Sequence, residues 1–237
     1  MRQLLPEPVD PVEPLAVYGD LPEAHGRPAL RLNMIASIDG ATAVEGRSGG
    51  LGGSADKRVF SILRSLADTV LVAAGTLRAE SYGPANVRIA VVSRSCMLDW
   101  EAPFFTAAKA RPLVVTVTDA PPDNRRRAAE VADVVVAGAV NVDLARALDA
   151  LYELGARSVL AEGGPTLNGQ LASAGLLDEL CLTVAPWQVG GDAKRILAGS
   201  ALAAPTAMAL QSVCEEDGYL FLRYRPLLVQ LRSQTSP

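Results

Sequence analysis

Seven short apolar runs rich in β-branched residues recur along the chain with helix-compatible stretches between them, and this alternation constrains the fold more than any other feature. They are LRLNMIA at 30–36, TVLVAA at 69–74, RIAVVS at 88–93, PLVVTVT at 112–118, DVVVAG at 133–138, SVLAEG at 158–163 and ELCLTVAP at 179–186. A strand that is apolar at successive positions is buried on both faces, and strands joined through helices run parallel. The expected fold is therefore α/β, a mostly parallel central sheet with helices on both faces.

Between the runs, residues 54–66 carry Val59, Phe60, Ile62, Leu63 and Leu66 at helical spacing, and residues 142–154 do the same with Leu144, Leu148, Leu151 and Tyr152. Residues 165–174 form a third helix with Pro165 in its first turn and Gly175 just past its end. Near the C-terminus, segments 209–215 and 219–224 flank Glu216-Asp217-Gly218, a hairpin signal that adds an antiparallel edge. The first 28 residues hold six prolines and no periodicity, so they are expected to form an arm on the surface or on a partner subunit. One domain over 29–225, the arm over 1–28 and a tail over 226–237 complete the expected organisation.

Charge and composition exclude several functions. The net charge is −4 and no basic run exceeds Arg125-Arg126-Arg127, which argues against nucleic acid as a partner. No apolar run approaches the roughly 20 residues of a membrane span, and prolines and acids interrupt the start of the chain, so a cytoplasmic protein without membrane attachment is expected. Cys96, Cys181 and Cys214 lie far apart and His25 is the sole histidine, an inventory too poor for a zinc site or a Ser-His-Asp triad. No metal is expected.

The chemistry-bearing residues gather at strand ends. Glu162-Gly163-Gly164-Pro165-Thr166-Leu167-Asn168 follows the run SVLA and opens a helix. Two glycines let a ligand approach the backbone, and the free N–H groups of the helix start suit a pyrophosphate; a tight turn needing glycine is the other reading. Glu162 sits where ligands bind in such sheets. At Gly75-Thr76, Thr76 is either a helix cap or a phosphate donor. Ser93-Arg94, after RIAVV, suits a ribose 2′-phosphate and so NADPH, or else is a solvated loop. The glycine-rich segment 46–53 is expected to be a mobile flap over a pocket. Ser37 and Asp39 leave the first strand as candidate substrate contacts, with Asp39-Gly40 turn chemistry as the alternative. Asp56, in the first turn of its helix, either compensates the helix dipole or faces the pocket as proton donor. Arg64 is a snorkelling surface residue or an anion clamp.

Taken together, MIASIDGATA, LADTVLVAAGTLRAE, VVSRS and AEGGPTLNGQLASAGLLDELCLTVAPWQVGG resemble the reductase domain of the bifunctional riboflavin-biosynthesis deaminase/reductase, a relative of dihydrofolate reductase, over residues 29–224. The resemblance implies a dihydrofolate reductase-like sheet, NADPH as hydride donor, a homodimer, and as substrate an aminopyrimidine bearing a ribosylamino 5-phosphate. Carried over, it sets Gly75, Thr76, Glu80, Gly163, Gly164, Pro165, Thr166, Leu167 and Asn168 against the cofactor, with Ser93 and Arg94 at its 2′-phosphate. Ala36 and Leu51 would line the nicotinamide side, and Glu162 and Arg64 would face the substrate. Two departures stand out. The substrate-binding arginine of the family's longer loop has no counterpart among the seven residues between Glu80 and Arg88. Asp56 takes the place of the acid that dihydrofolate reductases set against the pterin, and a carboxylic acid with a raised pKa can deliver the proton that accompanies a hydride. Two alternatives follow: a pterin reductase that depends on Asp56, and an NADPH-binding protein without turnover.

Overall fold

The computed structural model describes residues 1–23, 26–80 and 82–227; His25 and the tail beyond residue 227 lie outside the described residues. All seven apolar runs become strands: β2 (Ala29–Ser37), β3 (Thr69–Ala73), β4 (Arg88–Val92), β5 (Leu113–Thr116), β6 (Asp133–Val136), β7 (Ser158–Ala161) and β8 (Glu179–Ala185). Together with β1 (Arg2–Leu5), β9 (Met208–Glu216) and β10 (Tyr219–Pro226) they form one 10-stranded sheet in the order β1-β9-β10-β8-β2-β7-β3-β4-β5-β6. From β8 to β6 every neighbouring pair is parallel, whereas β10 runs antiparallel to both β8 and β9. Asp217 and Gly218 both take positive φ, 54° and 81°, the backbone of a primed turn that matches the twist of the hairpin.

Among the described residues seven α-helices connect and flank these strands: α1 (Pro14–Tyr18), α2 (Ser54–Ser65), α3 (Ala74–Ala79), α4 (Pro103–Thr106), α5 (Pro122–Val131), α6 (Leu144–Glu153) and α7 (Pro165–Ser173). Side chains alternate across β3, so Val70 and Val72 join Val59 and Leu63 of α2 while Leu71 joins Leu148 and Leu151 of α6 and Leu167 and Leu171 of α7. The apolar runs thus fill two cores, one on each face. No helix among the described residues is long and apolar enough to cross a membrane, and none of their His, Cys, Asp and Glu side chains cluster as a metal site.

Residues 1–18, part of the expected arm, are instead joined to the sheet and the core. β1 pairs antiparallel with β9 and extends the sheet, and Val17 and Tyr18 of α1 are 4% and 1% exposed. Arg31 donates to the Tyr18 carbonyl (3.0 Å), and Arg225 donates to the Asp20 carbonyl (2.9 Å), so cations meet the C-terminal end of α1. A four-residue strand and a five-residue helix set between prolines are too short to show a period, which is why neither is legible in the sequence.

Candidate active site

A cavity of about 970 Å³ opens where the carboxyl halves of β2, β3 and β7 meet. Its walls come from Met34 and Ile35 of β2, from Asp56, Phe60 and Arg64 on α2, from Gly75 and Thr76 on α3, and from residues 162–167 after β7. Parallel strands with helices on alternate faces leave such a crevice at their carboxyl ends.

Glu162, the first residue after β7, has a side chain only 2% exposed. Arg64, in the last turn of α2, binds it with two parallel hydrogen bonds, Nε to Oε1 at 2.6 Å and Nη2 to Oε2 at 2.7 Å. Tyr82 donates its hydroxyl to the same Oε2 at 2.7 Å. The guanidinium also lies 4.4 Å from the Phe60 ring centroid and 5.3 Å from that of Tyr82. Burial, and next the Glu162 charge, push the Tyr82 phenol far above its usual range, so it stays a donor. Burial opposes the charge on Arg64, but the hydrogen bonds and charge of Glu162 outweigh it and raise the guanidinium pKa.

Asp56 faces the same space from the first turn of α2. Burial raises its carboxyl above the ordinary value, and the hydrogen bond with Thr183 and the charge of Lys57 offset that only in part. Glu80 accepts the Ser48 N–H at 2.8 Å and thereby ties the glycine-rich segment to the end of α3. The strand ends of β3 and β7 touch: Ala73 N–H donates to the Gly163 carbonyl at 2.8 Å, and a Cβ on Gly164 would stand 2.8 Å from Thr76 Oγ1. Gly163 has φ +104°, a conformation that favours glycine. Gly164 then opens α7 with no side-chain cap, which leaves first-turn N–H groups beside Thr166 and Leu167 on the cavity wall.

Of the residues singled out from the sequence, Asp56, Arg64, Gly75, Thr76, Glu80, Glu162, Gly163, Gly164, Pro165, Thr166 and Leu167 line this one cavity. Others lie elsewhere. Ala36 and Leu51 are buried, 7% and 0% exposed, and Asn168 is 0% exposed, donating to the Ile196 carbonyl at 2.9 Å. Ser93 is buried and Arg94 exposed beyond the end of β4, where Arg94 Nη1 meets Asn141 Oδ1 at 3.2 Å. Ser37 donates to Asp39, whose carboxylate also accepts the N–H groups of Val189 (3.1 Å) and Gly190 (2.7 Å). The Ser37 bond first, then those of Gly190 and Val189, hold the Asp39 carboxyl down to about 2. Asp39 is thus a loop clasp. The glycine-rich segment contributes Gly46 and Ser48 to the wall, but its far half is anchored rather than free: Leu51 sits in the core and Tyr219 donates to its carbonyl at 3.0 Å. Tyr82, Thr42 and Lys194 join the wall without a sequence signal, because loops with no periodicity carry them there.

The RibD C-terminal domain family matches residues 28–219. A curated relative, the 2,5-diamino-6-ribosylamino-4(3H)-pyrimidinone 5′-phosphate reductase of Methanothermobacter thermautotrophicus, is 32% identical over 189 residues, covering 74% of this chain and 86% of that protein. The riboflavin biosynthesis protein RibD of Mycobacterium tuberculosis is 31% identical over 170 residues, 70% of this chain and 44% of that protein. Among solved structures, a pyrimidine reductase-like protein of Corynebacterium diphtheriae superposes with a TM-score of 0.80 at 26% identity, over 90% of this chain and 98% of that one.

Proposed function

The chain belongs to the RibD C-terminal domain family, and from that premise we propose that it is an oxidoreductase of riboflavin synthesis that reduces a ribosylaminopyrimidine 5′-phosphate with NADPH. The observation that carries this reading is the joining, in one cavity, of an uncapped helix start after Gly163-Gly164 with a buried acid, Asp56, on the facing helix. A nicotinamide dinucleotide fits the first of these features. Gly164, without a Cβ, lets Thr76 close against it and brings the β3 and β7 strand ends together, and the α7 amides are placed for a pyrophosphate. Residues 163–167 with Gly75 and Thr76 would hold it, and Ser93 and Arg94 would select the 2′-phosphate of NADPH.

When bound, the cofactor supplies the hydride that reduces the C=N bond of the opened sugar. The chain's own part is to orient the substrate and deliver a proton to the nitrogen. Asp56 does the second, because burial keeps its Oδ protonated to higher pH than an exposed aspartate. Glu162 does the first: Arg64 and Tyr82 already occupy both of its oxygens, so it orients rather than transfers a proton. The exposed apolar residues Leu210 (42%), Leu220 (37%) and Trp187 (54%) near the hairpin suit a second copy of the chain, and we assign a homodimer.

Asp56 also favours a second reading, reduction of a pterin. One experiment separates the two: NADPH deuterated at its transferable C4 position is incubated with the enzyme and each substrate. Label in the ribityl chain supports the reading proposed; label found only in tetrahydrofolate overturns it.

A further inference from the structure

A substrate carrying a phosphate dianion needs a cation, and the loop arginine that the family resemblance would supply has no counterpart here. Two cationic side chains line the cavity among the described residues, Arg64 and Lys194. Arg64 has Nε and Nη2 committed to Glu162. Lys194 is exposed, and its ammonium forms no ion pair among the described residues. Glu80 also lines the cavity wall, and the Arg64 charge is offset by Glu162, so Lys194 is the cation left open to an incoming dianion among the described residues.

The backbone around Lys194 is built to hold it there. Ile38 N–H donates to the Trp187 carbonyl at 2.9 Å, and the Asp39 carboxylate accepts Val189 and Gly190. Thr42 then donates both its N–H (3.2 Å) and its hydroxyl (2.9 Å) to the Lys194 carbonyl. On the other side, Asn168 of α7 binds the Ile196 carbonyl at 2.9 Å, and Ala198 N–H donates to the Pro165 carbonyl, also at 2.9 Å. The exit of β2 and the start of α7 therefore clamp the loop on both sides of one lysine. A lysine that served only solvation would need no such frame.

We propose that Lys194 is the residue by which this chain binds the phosphate of its substrate, and that Asp39 is a positioning residue that acts through the loop carrying Lys194. The proposal rests on the ribosylaminopyrimidine phosphate reading and names the specificity determinant of that site. A lysine binds phosphate as a point charge, without the fork geometry of arginine, so Lys194→Arg keeps most of the interaction.

The test compares the 5′-phosphate substrate with its dephosphorylated form for the full-length wild type, Lys194→Ala and Lys194→Arg. Lys194→Ala raises KM for the phosphorylated substrate by about tenfold to a hundredfold, the loss expected of one charged hydrogen-bonding partner, while KM for the dephosphorylated form and for NADPH stays within about twofold. Lys194→Arg restores most of the loss. A rise in KM for NADPH instead, or equal changes for both pyrimidines, overturns the proposal. Asp39→Ala lowers the preference for the phosphorylated substrate, and adds little to Lys194→Ala; additive losses overturn the positioning role. If the wild type reduces neither pyrimidine, the functional reading fails on its own, and calorimetry with ribose 5-phosphate still decides Lys194. Binding by the wild type that weakens at least about tenfold in Lys194→Ala supports it. Equal affinity, or no binding by the wild type, overturns it.

Discussion

Two buried glutamates among the described residues are bound by arginines, and they do opposite things. Glu179 opens β8 at the amino ends of the parallel strands and is 0% exposed. It pairs with Arg31 and accepts from Arg223 at 2.7 Å and Arg225 at 3.1 Å, and the same arginines donate onward to carbonyls at the end of α1. Burial and the neighbouring Glu179 push the Cys181 thiol up to about 12 in this cluster. Glu162, just after the carboxyl end of β7, is as deeply set, yet it and its Arg64 partner face a cavity of about 970 Å³. The difference lies in what covers each pair. Over the amino ends, the N-terminal residues close the cluster with backbone acceptors; over the carboxyl ends, aromatic planes flank the guanidinium and leave space for a ligand. The same ion pair is a fastener at one end of the sheet and a binding surface at the other.

The largest effect should come from opening the fastener. Glu179→Gln leaves buried arginines without their counter-charge and should cost about 3–5 kcal/mol in urea unfolding, with NADPH affinity of the folded fraction unchanged. A loss below about 1 kcal/mol would mean that water already reaches this cluster.

Next comes the acid in the cavity. Asp56→Asn should lower kcat about a hundredfold, roughly 2.7 kcal/mol of barrier. Its folded-state pKa is raised, so the stability tied to its protonation is present below the unfolded value and is lost as pH rises through the folded one. Asp56→Asn should therefore melt higher than the wild type at neutral pH, with the gap closing in acid, and wild-type kcat should fall as pH rises through the same titration. A variant less stable than the wild type at neutral pH would show that Asp56 is structural.

Smaller effects sharpen the contrast. Glu162→Gln should lower kcat/KM by about tenfold but cost only about 1 kcal/mol of stability, because the freed Arg64 can turn to cavity water. Equal unfolding losses for Glu162→Gln and Glu179→Gln would erase the distinction between the two sites. Tyr82→Phe removes one hydrogen bond to Glu162 and should lower kcat/KM only a few-fold, about 1 kcal/mol, without changing NADPH affinity.

What was legible in the sequence follows the same division. The parallel strands announced themselves because each is apolar on both faces, and Glu162, Thr76 and the two glycines because ligand chemistry in such a sheet gathers at strand ends. Helix α5 went unread: in PDNRRRAAEV only Ala128 is buried, so no apolar stripe marks it. Tyr82 and Lys194 went unread because hydrogen bonds from distant segments, not local spacing, bring their loops to the cavity. Asp39 reads in the sequence as a substrate contact or as turn chemistry, and in the fold its carboxylate is taken up by the N–H groups of residues about 150 positions further along. That use of a carboxylate depends on tertiary contact, and no short window of sequence contains it.

The most direct test of the account is the rate of NADPH oxidation by the purified protein with the ribosylaminopyrimidine 5′-phosphate and with dihydrofolate, each measured at the same pH and cofactor concentration. Clear preference for the sugar phosphate is the expected result. Preference for dihydrofolate, or tight NADPH binding with no oxidation by either compound, would contradict it.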